Sequence, residues 1–283
     1  MQLFKGQPDE FSRVLMNRFV KWMMRHSHLA KWLLGLPCVL LVTAGVHVAF
    51  YSLPLTVVVA LLYTFVVFSY IDGCYLAAAN KATKHLNDTC DYEPLLALTE
   101  EIVRYAKPSP NKQIMHMNYA VCHLYKGDFL TAKQIMTNIN IDKFPGAMYY
   151  IKMLYYNNLA EIEDHLGNNE AADVYFDNVD KLYRDLKPGK KKELFKDTFN
   201  STLASHLYRN GDYRAALEIM DKLKPSNLCS AVQSAHLHAR ILIALGENDR
   251  AKEALNFAIA NGGKLYVVGE AKKYWLQYHK ERQ

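Results

Sequence analysis

Four side chains able to do acid–base or metal chemistry fall within five residues: Glu161, Glu163, Asp164 and His165. A di-iron centre needs a Glu on each of four helices plus two Glu-x-x-His pairs, and that pattern is absent. The cluster therefore reads as a solvated helix end. His26/His28 and His236/His238 are each two apart. On a helix such pairs point roughly 200° apart and share a metal poorly. The sequence carries no Gly-rich phosphate loop, no His-Glu-x-x-His, no Cys-x-x-Cys and no Gly-x-Ser-x-Gly elbow. The basic run Lys190-Lys191-Lys192 reads as a solvated helix start, with anionic lipid headgroups as the functional alternative. No catalytic residue, cofactor or metal is expected, and the chain does not read as an enzyme.

What positions these residues is a repeat. Gly127, Gly167, Gly211 and Gly246 each have an Ala seven residues before (Ala120, Ala160, Ala204, Ala239). Each also has an Ala five residues after (Ala132, Ala172, Ala216, Ala251). Nine after each stands a large apolar residue: Met136, Phe176, Met220 and Leu255. Gly ends a helix because it accepts a left-handed backbone. Small residues on either side of the turn let two helices approach closely, and the large residue fills the space beside them. Each copy is a helical hairpin that needs stacked neighbours to bury its apolar face.

The pattern Ala-x6-Gly-x-[Tyr/Phe]-x2-Ala-x3-large resembles the tetratricopeptide repeat over roughly residues 115–260. Glycine spacings of 40, 44 and 35 depart from the family period of about 34. Pro145-Gly146 and Lys187-Pro188-Gly189 mark the breaks, and the family's Trp near the start of the first helix is missing. The resemblance implies a concave groove lined by the first helix of each unit. By spacing from each glycine its candidate residues are Tyr125, Asn157, Glu161, Asp164, Ser201, Ser205, Tyr208, Arg209, His236 and Arg240. They suit a protein or peptide partner, as an amphipathic helix or an extended chain. Some family members clamp a partner's terminal carboxylate. The equivalent positions hold Met117, Asn118, Val121, Thr202, Gln233 and Leu237, so no such clamp is expected.

From Leu33 to Ile71 there is no Asp, Glu, Lys or Arg, a run of 39 residues. It reads as a transmembrane hairpin of two spans, 33–50 and 55–72, joined by Tyr51-Ser52-Leu53-Pro54. At ~1.5 Å per residue the uncharged stretches cover roughly 25–27 Å, short against a hydrocarbon core of ~30 Å. Of the net +6, residues before the run carry +4 and residues after it +2. The positive-inside rule then places both termini in the cytoplasm, in a bacterial plasma membrane. Residues 9–25 form a basic amphipathic helix that suits anionic lipid or a face of the chain's own domain.

Composition excludes other classes. Apolar residues make up 51% and Pro and Gly are few, which excludes disorder. Five cysteines without paired spacing exclude a disulfide scaffold. The small charge excess after the run does not suggest a nucleic-acid binder. No small-molecule substrate is expected either. The expectation is an all-α chain: a basic segment (1–32), a transmembrane hairpin (33–72), a degenerate capping hairpin (73–110), an α-α superhelix of about four repeats (111–262) and a capping helix (263–283). As a membrane-anchored scaffold it would hold a partner at the cytoplasmic face. The alternative is a subunit of a membrane transport or envelope-assembly complex, contacting it through the hairpin.

Overall fold

The computed structural model describes residues 27–50, 53–105, 110–144 and 149–280. The break at Pro145-Gly146 and the helix expected over residues 9–25 lie outside them. The described chain is all-helical. In order it runs α1 (Ser27–Phe50), α2 (Leu53–Thr89), α3 (Glu93–Tyr105), α4 (Pro110–Lys126), α5 (Phe129–Thr137), α6 (Tyr149–His165), α7 (Asn169–Asp185), α8 (Lys190–Arg209), α9 (Tyr213–Met220), α10 (Leu228–Ala244), α11 (Asn248–Asn261) and α12 (Tyr266–Lys280). A 3-10 turn, Ile141–Lys143, follows α5.

The four repeat glycines stand at the turns of the hairpins α4–α5, α6–α7, α8–α9 and α10–α11. Their φ values are 85°, 75°, 82° and 76° for Gly127, Gly167, Gly211 and Gly246. The residue after each glycine donates its N–H to a carbonyl five positions back, as Asp128 does to His123 at 2.9 Å. This satisfies carbonyls that a helix end leaves orphaned. The eight column alanines are all 0–2% exposed, and Met136, Phe176, Met220 and Leu255 are buried beside them. Small-on-small contact thus sets the approach of each pair, and the large residue closes the gap.

Each helix packs on its sequence neighbours, and α4, α6, α8 and α10 also contact one another in turn as an inner layer. The two ends meet. Helix α10 packs on α2, and α12 packs on α4. One core joins Ala79, Leu86 and Leu95 from the N-terminal end to Val232, Leu255 and Val267 from the C-terminal end. Across the seam the Lys264 ammonium pairs with Asp91 at 2.9 Å and with Glu93 at 2.5 Å. The Lys264 N–H donates to the Cys90 carbonyl at 3.1 Å. Cys90, at φ 57° on the α2–α3 turn, shares a thiol hydrogen bond with Cys229. The inner layer is therefore wrapped into a ring.

The membrane reading is overturned. Helices α1 and α2 pair with each other, but among the described residues no helix is long and apolar enough to cross a membrane. Helix α2 has 37 residues, yet its length is not apolar length. Beyond Ile71 it carries Asp72, Lys81, Lys84 and Asp88. The uncharged stretches of 18 and 17 residues fall short of a ~30 Å core. The transmembrane hairpin and the two-span placement in a bacterial plasma membrane, with both termini and the repeat domain cytoplasmic, are withdrawn on this finding. The α1–α2 pair leaves Leu41 and Phe65 more than two-thirds exposed.

Candidate functional site

The ring encloses a cleft of about 370 Å³. Nine of the ten candidate groove residues line it, all but Tyr208. Tyr208 stands behind, with the Arg240 guanidinium 4.7 Å from its ring centre. The repeat supplies the reason for the convergence. Each inner helix is fixed at its C-terminal end by the same glycine turn and alanine contact, so residues at equal offsets face one space.

The walls differ in charge. Helix α6 contributes Glu161, Asp164 and His165. These are not the solvated helix end that the sequence suggests. The neighbouring Glu163 is 1% exposed and pairs with Lys133 at 2.8 Å, while Asn168 Nδ2 donates to it at 2.8 Å. Glu161 has no such partner among the described residues. Burial pushes its carboxyl up to about 7, and the like charge of Asp164 adds to the shift. Burial also raises Asp164, against the pull of Arg209 and Arg240. The His165 imidazole is driven down to about 4 by burial and by Arg240. Its Nε2 lies 2.5 Å from the Tyr266 hydroxyl, and its ring stacks on Phe129 at 4.5 Å.

On α8, Arg209 is held by carboxylates from two helices, Asp173 at 2.9 Å and Asp164 at 3.7 Å. Its Nε remains buried without a partner. Helix α10 contributes His236 and Arg240, one turn apart. Arg240 Nε and His236 Nε2 are both buried and make no hydrogen bond among the described residues. His236 Nε2 faces Glu270 at 3.4 Å, and burial with the fields of Arg240 and His165 holds the imidazole down to about 3. Around neutral pH both imidazoles are uncharged. Ser201, Ser205 and Asn157 supply small polar groups between the charged walls.

Some residues of the cleft lie outside the groove pattern. Tyr266 comes from α12, beyond the last repeat, and Cys229 from the first turn of α10. Tyr266 reaches the cleft because its helix crosses to α4, where its Cβ would meet a side chain at Gly127 within 3.0 Å. No sequence spacing encodes that crossing. The cleft offers donors on one side, acceptors on the other and neutral hydroxyls between, which is an arrangement for holding a polar chain. Among the described residues no group of three or more His, Cys, Asp or Glu side chains could hold a metal ion. Set against known proteins, the chain gives no significant match to a family model, to a curated protein or to a solved structure.

Proposed function

We propose that this chain is a binding protein rather than an enzyme: a helical-repeat adaptor of the tetratricopeptide type whose central cleft takes an extended peptide. The observation that carries this reading is the convergence of nine equal-offset positions from four repeats on one polar cleft. The buried Nε atoms of Arg209 and Arg240, which make no hydrogen bond among the described residues, support it. A buried donor left unsatisfied costs roughly 1–3 kcal/mol, and a ligand acceptor removes that cost. The lining is mostly polar side chains, which suit the free amides of an extended chain better than the apolar face of an amphipathic helix.

The test is selection from a pool of free peptides, two to nine residues long, by retention on the immobilised native chain and on Ser205→Trp. Ser205 lines the cleft, and an indole there fills it. Enrichment is expected on the native chain and lost in the variant. Equal enrichment on both places the binding surface elsewhere and ends this reading.

A further inference from the structure

We infer that the cleft binds a small zwitterion, seating its ammonium at Glu161 and its carboxylate at Arg240 and His236. This rests on the peptide reading and narrows it to ligands whose two charged ends both fit inside, a free amino acid or a di- or tripeptide.

The first argument is the contrast between paired and unpaired charges on the same elements. On α6, Glu163 is fully paired while Glu161, two residues earlier, has neither cation nor hydrogen-bond donor among the described residues. Its charge acts instead on the hydroxyls of Tyr125 and Tyr266 and on the Cys229 thiol, which line the same cleft. On the facing walls Arg209 holds two carboxylates, while Arg240 has none within ion-pair distance among the described residues. Arg240 rests on Tyr208, through its ring face and its hydroxyl, and feels Asp164 and Glu270 only at longer range. Glu161 and Arg240 are both partly buried, and a partly buried charge without a direct ion pair is costly, so a fold keeps one where something else completes it.

The second argument is polarity. Glu161 stands on α6, and His236 with Arg240 on α10. Both poles and the Tyr266 hydroxyl line the one cleft. Charge balance then selects among ligands. A phosphate dianion attracted to Arg240 meets Glu161, Asp164 and Asp197, which line the same cleft. A plain cation at Glu161 meets Arg209 and Arg240. A ligand carrying one charge of each sign satisfies both walls. Arg240 Nε and His236 Nε2 lie one turn apart and make no hydrogen bond among the described residues, and a ligand carboxylate seated on them takes the place of Glu270, which stands 3.4 Å from His236 Nε2.

The third argument is the lining between the walls. Ser201 and Ser205 are left to pair with the ligand's own amides, while Asn157 Oδ1 already accepts from the Thr202 hydroxyl.

The test is calorimetric titration of the full chain with four probes: an equimolar mixture of free amino acids, a tripeptide pool with free ends, the same pool N-acetylated, and the same pool C-amidated. Binding of one of the first two is expected, with either capped pool about tenfold weaker or worse. The first two arms show whether the zwitterion is an amino acid or a short peptide. In Glu161→Gln the penalty for N-acetylation should vanish while that for amidation stays. Capped pools binding as well as free ones overturn the inference, using the native chain alone. If free-ended ligands fail while long capped peptides bind in a Ser205-dependent way, only this inference falls. If neither class binds, the peptide reading falls with it.

Discussion

Arg209 and Arg240 lie on neighbouring inner helices, and the protein uses them differently. Arg209 ties α6, α7 and α8 together through Asp164 and Asp173, whereas Arg240 is left facing the cleft. Glu161 is the carboxylate counterpart of Arg240, and its cost has a definite pH signature. Its folded carboxyl titrates at about 7 against an ordinary value of 4.5. Between these values the native state binds a proton that the unfolded chain does not. Its penalty is absent below about 4.5 and complete above about 7. Urea unfolding should therefore find Glu161→Gln more stable than the native chain at pH 8, by on the order of 2 kcal/mol, and equal to it at pH 4. The buried imidazoles act in the opposite sense. His236, held down to about 3, stays neutral in the folded state while the unfolded chain protonates below pH 6.5. Stability is lost as pH falls through that window. In His236→Asn the loss should be shallower by up to about 1.4 kcal/mol per pH unit. Ligand binding follows Glu161. An ammonium-bearing ligand should weaken as pH drops from 8 to 6, because Glu161 is then protonated. The other titratable groups lining the cleft are Tyr125 from α4, Asp164 and His165 on its own helix, Asp197 and Arg209 from α8, Cys229, His236 and Arg240 from α10 and Tyr266 from α12. Of these, burial raises Asp164 too, without a cation of its own being lost.

The repeat is legible at the scale of the element because its columns obey simple steric rules. Gly211 has a left-handed backbone at φ 82° and open space where a Cβ would go. Gly211→Ala should therefore cost only the backbone term, about 1 kcal/mol. Ala204 faces the opposite constraint, being fully buried between helices. Ala204→Leu adds three carbons to a closed contact and should cost more, ~1–3 kcal/mol. Thermal unfolding of the two variants should rank them in that order, and the reverse ranking would contradict the packing account. The same rules explain what the sequence concealed. Equal offsets from the glycines located Glu161, Asp164, Ser201 and Arg240, because identical turns aim them alike. They gave no hint of Tyr266, which lies outside the period and arrives by a tertiary crossing. The residues around Glu163 looked solvated because a run of carboxylates at a helix end usually is. The partner that buries Glu163, Lys133, comes from a different hairpin.

At the scale of the whole molecule the decisive feature is that the ends meet. The uncharged run from Leu33 to Ile71 dominates the sequence, and composition alone turned it into two spans. The structure shows α2 continuing past the run into the shared core as one helix to Thr89. Ring closure depends on Gly263. Its φ is +54°, and a Cβ there would stand 2.8 Å from the carbonyl oxygens of Thr89 and Cys90. Backbone on both sides leaves no room to give. Gly263→Val should lower stability by about 2 kcal/mol or more. It should also raise amide exchange in residues 79–98 and 229–271 together. Exchange rising at one end alone would show that the two ends are independent.

The central claim is that the enclosed cleft is where a ligand binds. The most direct measurement is hydrogen–deuterium exchange of the full chain with and without the saturating peptide or zwitterion pool. Protection is predicted together on α6 around Glu161–His165, on α8 around Ser201–Arg209 and on α10 around Gln233–Arg240. Protection confined to the exposed α1–α2 face, with those three inner stretches unchanged, would contradict the account.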